Sequence, residues 1–523
     1  MATPQEIFKA LALIPSYSSA TILPNSTDSI LNIQVSLTQR DLERSIKRKF
    51  TRTVVASVQG KDVPLILSGP STDMGDLIAQ AVSPTGKFTA VLRSVSDKKT
   101  KHFVEIWSEG SILHLLDNSS LHDSFYGDST FGTLEWSRDE TKIVYVAERK
   151  TPEDGKYNYK PDWGETFTGK REPSLVVVNL YALETQVLDR LEGDMSPGQA
   201  SLTIQTAIFS HDSKSLIFTG YHRDPQFFGI VYCQNRLTGL YQINIDGTCF
   251  KELTCDLKSA RSPRLNKGGT TLVFLSNTVN GPHASCAKLC KLDIASGKVS
   301  TVVDIARKPD AATAFPGLYI DQLPKQLWVS STKIIISSTW RSRSTLLAVD
   351  TESGAVEELT LAAEYPGATT ALYADSRWVL VSYSTPTDPW KLFLGHLQAD
   401  SSSKTGTKIY FSVLESNKSE KAKAYYQPHT WSIVDKIPGQ LESLEVILLE
   451  PFKNDSASQS TSAVSGSKPP LVIFPHGGPH SGFTAEFTLL SLTLVGLGFA
   501  VACVNYTGSL GFGQDNVEAL VGR

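Results

Sequence analysis

The sequence predicts a β-propeller of about seven blades followed by the first part of a parallel α/β domain. Three observations carry this. Short apolar strands separated by turn residues recur from about Val54 to His429. Two turn signatures repeat within that region at ~40–50 residues, the period of a four-stranded blade. After His429 the pattern changes to strand, helix, strand, with uninterrupted apolar runs of the kind that parallel sheets bury.

The size agrees. At 523 residues the chain exceeds one ordinary core of roughly 100–200 residues. It is 41% hydrophobic and 20% charged, which excludes wholesale disorder. Fifty basic and 53 acidic side chains leave a charge of −3, so no global basic field recruits nucleic acid. No apolar run approaches the ~20 residues of a membrane span. At the N-terminus the apolar stretch Ala10–Ile14 stops at Pro15 and lacks a basic flank, so it does not read as a signal peptide. Six sparse cysteines, with Cys286 and Cys290 four apart, suit reduced structural thiols. The N-x-S/T matches at Asn25, Asn118 and Asn505 read as chance, and the expected location is cytoplasmic.

Residues 1–35 form an N-terminal extension, with a short helix expected at Gln5–Leu13. Arg44, Lys47, Arg48, Lys49 and Arg52 then read as the solvated face of a helix. Residues 36–435 carry the blades. One signature is a hairpin with Asp and Gly in its turn: Asp246-Gly247 after Leu240–Ile245, Asp293 and Gly297 after Leu289–Leu292, Asp350 and Gly354 after Leu346–Val349. Asp supplies turn hydrogen bonds and Gly positive φ. The other is a turn leading into an apolar strand: Ser83-Pro84-Thr85-Gly86, Trp136-Ser137-Arg138-Asp139, Phe209-Ser210-His211-Asp212 and Ser262-Pro263-Arg264. An insertion interrupts the pattern around Lys150–Lys170.

Residues 436–523 begin the second domain. Leu444–Leu449 is a strand and Asn454–Lys468 a Ser-rich surface loop. The run Pro469–Phe474 reads as a strand buried on both faces, Phe483–Leu497 as a helix and Phe499–Val504 as the next buried strand. After the first strand comes His476-Gly477-Gly478-Pro479-His480. A Gly pair there frees backbone N–H groups to converge on one spot, as an oxyanion requires. After the next strand comes Asn505-Tyr506-Thr507-Gly508-Ser509-Leu510-Gly511-Phe512-Gly513, whose glycines bring backbone close to something. Both loops lie at the carboxyl ends of their strands, where open α/β sheets place ligands.

A propeller followed by these two loops resembles the prolyl oligopeptidase superfamily, and within it the acylaminoacyl-peptidase family. Thr38–Arg44, Asp162–Glu165, Ser196–Ala200, Ser384-Thr385-Pro386, His476–Ser481 and Gly511–Asp515 carry the resemblance along the chain. Thr507 and Leu510 depart from the family's usual Arg and small polar residue. The resemblance implies a β-propeller followed by an incomplete α/β-hydrolase domain. It implies a cofactor-free serine hydrolase that removes an N-acylated amino acid from short blocked peptides, in proteins that are often homo-oligomers. His476, Gly477, Gly478, Pro479 and Tyr506 are then the oxyanion-side site residues.

The family's Ser-Asp-His triad is not recognisable here. No serine has Gly at both −2 and +2; Ser509 comes nearest, with Thr507 at −2. From Pro469 to Arg523 there are 55 residues, where a hydrolase domain needs ~200. The expectation is that the triad lies beyond Arg523, that the chain alone is inactive, and that its last strands expose apolar surface. Two alternatives remain: a non-catalytic binding propeller, and a dipeptidyl- or oligopeptidase of the same superfamily. A dipeptidyl peptidase would need a carboxylate pair for a free ammonium. Glu357-Glu358 is adjacent, but alternation on a strand would point the two apart.

Overall fold

The computed structural model describes residues 2–58, 65–150, 162–188, 202–222, 228–359, 361, 367–435, 444–451, 468–478 and 480–521. Pro479, Ser196–Ala200, most of the loop expected at Asn454–Lys468 and Arg523 lie outside them.

Eight sheets follow one another along these residues. Seven are antiparallel meanders, the first spanning Ser16–Ile22 to Thr72–Asp73 and the seventh Ala368–Ala374 to Thr407–Glu415. Alternate side chains of each sheet interlock with a neighbour. Leu92 and Ile106 of the second sheet pack with Ile143 and Val176 of the third. Val144 and Leu175 of the third pack with Leu216 and Phe218 of the fourth. Ile217 and Leu240 meet Leu272 and Phe274 of the fifth, whose Val273 and Leu289 meet Ile334 and Leu347 of the sixth. Ile335 and Leu346 meet Val379 and Val381 of the seventh. The seventh returns to the first, with Leu380 and Leu394 against Ile33 and Val35. At that seam Glu415 accepts hydrogen bonds from Arg52 (2.5 Å), Ser68 (2.6 Å) and Tyr17 (3.4 Å).

The Asp/Gly hairpins form as expected. Asp246, Asp293 and Asp350 accept turn N–H groups, and Gly247, Gly297 and Gly354 have φ of 87°, 70° and 73°. Ser262-Pro263-Arg264 is not a turn. It lies inside the strand Arg261–Leu265, where a register shift between Arg261 and Arg264 accommodates the proline. The turn follows it, with Asn266 accepting from the Thr270 N–H. The basic cluster is not helical either. Ile46–Ser57 is a strand paired with Ile30–Asp41 along its length. Alternation divides the charges: Arg48 pairs with Asp41 and Asp73, Arg52 with Glu415, and Lys47 and Lys49 face solvent.

Residues 16–35, read as part of an extension, belong to the first sheet. The helix Pro4–Ala12 has a Thr3–Glu6 capping box. Its Ile7 and Leu11 pack against Ala422, Tyr426, Phe487 and Leu492. The chain's first helix is thereby bound to helices that flank its last sheet, Glu420–Tyr426 and Leu489–Gly496.

The eighth sheet has the strand order Thr430–Val434, Glu445–Glu450, Ala500–Asn505, Leu471–Pro475. The last two are parallel and joined by a helix, the expected βαβ unit. That helix begins only at Leu489. Upstream, tertiary hydrogen bonds hold the chain extended: Phe483 N–H to Asn505 Oδ1, Ala485 N–H to Ser342 O and Phe487 N–H to Ser384 Oγ. Ala500–Asn505 is buried as expected. Leu471–Pro475 is not buried on both faces. It is an edge strand among the described residues, and Leu471 and Ile473 are 55% and 66% exposed.

Among the described residues no helix is long and apolar enough to cross a membrane, and no cluster of His, Cys, Asp or Glu suits a metal ion. None of the six cysteines is in a disulfide, and burial pushes the Cys286 and Cys290 thiols up to about 11.

Candidate active site

Because Leu471–Pro475 and Ala500–Asn505 are adjacent and parallel, the loops that follow them leave from the same end of the sheet. They are bonded to each other. The Leu510 N–H donates to Ser481 O (2.9 Å), and the Tyr506 hydroxyl donates to His476 O (2.8 Å). The Tyr506 ring stacks on the His476 imidazole, with centroids 4.2 Å apart. His476 Nε2 lies 2.7 Å from Ser509 Oγ and Nδ1 lies 3.1 Å from Gly477 O. Burial holds the His476 pKa below the ordinary imidazole value, so the ring is neutral at pH 7.

Gly477 and Gly478 are exposed, and among the described residues neither N–H has a hydrogen-bond partner. A Cβ placed on Gly477 would meet nothing within 4 Å. Gly478 has φ 119°, a conformation open to glycine and costly for other residues. Two peptide units thus present unused donors to open space at the carboxyl end of a parallel sheet, the arrangement an anionic oxygen requires.

The second loop serves a different purpose. Its glycines do bring backbone close to something, and that something is the rest of the chain. Gly511 accepts from the Arg341 N–H (2.9 Å), and a Cβ there would sit 2.7 Å from the Arg341 nitrogen. At Gly513 a Cβ would sit 2.9 Å from Arg307 O. Gln514 and Asp515 N–H groups donate to Ala306 and Arg307 carbonyls, and Gln514 Oε1 accepts from the Cys286 N–H. The hairpin tip Arg341-Ser342 of the sixth sheet enters the same region. Glu445 accepts from Arg341 Nε (2.5 Å), Ser342 N–H (3.1 Å) and Ser342 Oγ (2.6 Å). Asn505 bridges Ser342 Oγ and Phe483 O (both 2.9 Å). The seven sheets and the last one therefore form a joint directly beside the candidate site. Arg341, Ser342 and Glu445 were missed from sequence because their pairing spans about a hundred residues, which no local pattern records.

Ser509 Oγ lies against His476 Nε2, but the residue is fully buried and no substrate carbonyl can reach it, so it is not poised as a nucleophile. Glu357 of the sixth sheet accepts from Ser403 and Thr405 of the seventh, so it is engaged between the sheets and not free to pair with Glu358 around an ammonium. Asp162 accepts Gly164 and Gly169 N–H groups, and Trp163 is buried against Phe131: that motif builds a loop. The side chain of Glu165 and all of Pro479 lie outside the description.

Residues 1–421 match the family described as acylamino-acid-releasing enzyme, N-terminal domain. The chain belongs to the acylamino-acid-releasing enzyme family. Its sequence is 30% identical to that enzyme from Rattus norvegicus, with all of this chain and 75% of the relative aligned. It is also 30% identical to the Homo sapiens enzyme, over 99% of this chain and 74% of the relative. Among solved structures, Pyrococcus horikoshii acylaminoacyl peptidase superposes with a TM-score of 0.61 at 15% identity, over 97% of this chain and 68% of that one. A puromycin-hydrolyzing peptidase of Mycobacterium tuberculosis superposes at 0.59 and 16% identity, over 99% and 70%. These are likenesses of fold.

Proposed function

We propose that this chain is the propeller and oxyanion-side portion of an acylaminoacyl peptidase, a serine hydrolase releasing an N-acylated residue from short blocked peptides. The seven sheets, packed in succession from the second to the seventh and from the seventh to the first, are its β-propeller, and the eighth begins its α/β-hydrolase domain. The observation that carries the reading is the pair of exposed N–H groups of Gly477 and Gly478, without partners among the described residues, at the carboxyl end of the parallel strand pair. They are the donors for the oxyanion that forms when a nucleophile attacks the scissile carbonyl, each contributing about 10²–10³ in rate. An acylated substrate carries no α-ammonium, in keeping with the engagement of Glu357 elsewhere. The family names of the relatives support the substrate class.

The nucleophile is a separate matter. No serine of the 523 residues lies in Gly-x-Ser-x-Gly, and Ser509 is inaccessible. The chain by itself therefore binds blocked peptides without cleaving them, in the cytoplasm. The test has two arms. N-acetyl-alanyl p-nitroanilide is expected to remain intact, and no fluorophosphonate label is expected to attach. Calorimetry is expected to find an acetylated tripeptide binding more tightly than its free-amine counterpart. Turnover at the rate of an intact family enzyme would overturn the inactivity. Equal affinity for the two peptides would overturn the substrate class and favour a non-catalytic scaffold.

A further inference from the structure

The oxyanion reading leaves open what aims the two donors. In a trans peptide the C=O and the following N–H point in opposite directions. A carbonyl that is tethered therefore fixes the N–H on the other side of its peptide plane. Two successive carbonyls in this loop are tethered. His476 O accepts from the Tyr506 hydroxyl (2.8 Å), which directs the Gly477 N–H outward. Gly477 O lies 3.1 Å from His476 Nδ1, which directs the Gly478 N–H.

The second tether depends on which nitrogen of His476 carries the proton. Gly477 O only accepts, so Nδ1 must be the protonated nitrogen. In a neutral ring Nε2 is then bare and must accept, and the group facing it at 2.7 Å is the Ser509 hydroxyl. The Ser509 side chain is fully buried, so water does not compete for it. Its own backbone is held at both ends: the Ser509 N–H donates to Tyr506 O (2.9 Å) and Ser509 O accepts from Asn516 Nδ2 (2.9 Å). The turn between them places Gly508 at φ 103°.

We infer that Ser509 and Tyr506 are positioning residues for the oxyanion donors. Ser509 Oγ–H holds His476 in the Nδ1–H tautomer, and His476 in turn clamps the Gly477 carbonyl. Tyr506 clamps the preceding carbonyl and supports the ring by stacking. The consequence for catalysis rests on the oxyanion reading above, but the relay itself does not.

The test is ¹⁵N NMR of the full chain with labelled histidine, assigned through His476→Gln. His476 is expected at neutral pH with Nδ1 protonated and Nε2 bare. Ser509→Ala is expected to shift the tautomer ratio toward Nε2–H by about tenfold, the worth of one hydrogen bond. Ser509→Thr, which keeps a hydroxyl, restores the ratio. Tyr506→Phe leaves it unchanged, because that hydroxyl binds a carbonyl and not the ring. Finding Nε2–H in the unaltered chain, or the same ratio in Ser509→Ala, overturns the relay. If Ser509→Ala does not fold, the tautomer of the unaltered chain decides. An intact relay together with equal binding of acetylated and free peptides would instead overturn the proposed substrate class and leave the relay standing.

Discussion

The seven-sheet region and the final sheet are built from similar strands but are stabilised differently. In the first region the second to seventh sheets pack in succession and the seventh packs on the first, where the Glu415 cluster ties them across 398 residues of chain. In the final sheet Ala500–Asn505 is buried, whereas its parallel partner Leu471–Pro475 is an edge with Leu471 and Ile473 exposed. That unit is held mainly from outside: by Arg341, Ser342 and Ser384 of the seven sheets and, through its helix, by the N-terminal helix. The contrast teaches that the candidate site is formed at a joint, and that its geometry depends on residues far away in sequence.

The most direct way to break the contrast is Glu445→Ala. It leaves the buried Ser342 donors unpaired and removes the carboxylate from the partly exposed Arg341, at a cost of about 1–3 kcal/mol. Hydrogen exchange should accelerate in Leu471–Pro475 and Ala500–Asn505 while the seven sheets keep their protection. Equal acceleration everywhere would mean that the two regions unfold as one.

A pH titration probes the other side. His122 is buried in the third sheet, between Tyr145 Oη (2.9 Å) and Asp123 O (2.7 Å). Burial lowers its pKa to about 4. The unfolded chain binds this proton near pH 6.5 and the folded chain only near 4, so folding loses stability as pH falls between those values. The loss amounts to about 3 kcal/mol at most. His122→Gln should flatten that part of the stability profile of the seven sheets, as measured by denaturant unfolding at pH 7 and pH 4.5.

Gly511→Ala combines positive φ with a Cβ too close to the Arg341 nitrogen. It should destabilise the joint by about 2 kcal/mol, again read by exchange in the final sheet. Gly477→Ala has room for its Cβ and should change stability by less than about 0.5 kcal/mol. If Gly477→Ala proved as costly as Gly511→Ala, the distinction between an open glycine loop and a packed joint loop would fail.

Much of this was legible in the chain. The hairpin turns could be read because Asp and Gly act within four residues. The βαβ unit and both loops could be read because their apolar runs and glycines are local. Other readings failed where a distant partner decided. The Arg44–Arg52 charges look like a helix face until pairing with Ile30–Asp41 makes Lys47 to Arg52 a strand and leaves Arg44 in the turn before it. Phe483–Glu486 has helical spacing, but Ser342 and Asn505 capture its backbone. Pro469–Phe474 has the composition of a doubly buried strand, yet composition does not state which neighbours are present.

By itself, then, the sequence determined the elements, the repeated turns, the resemblance and the absence of Gly-x-Ser-x-Gly, because each is written in residues close together. Only the tertiary structure decided what the glycines are for. Gly477 and Gly478 are exposed, with the His476 and Gly477 carbonyls that precede their N–H groups tethered, whereas Gly511 and Gly513 pack against Arg341 and Arg307. A glycine's spacing shows that backbone is laid bare; whether it meets solvent or other backbone depends on chain segments folded in from elsewhere.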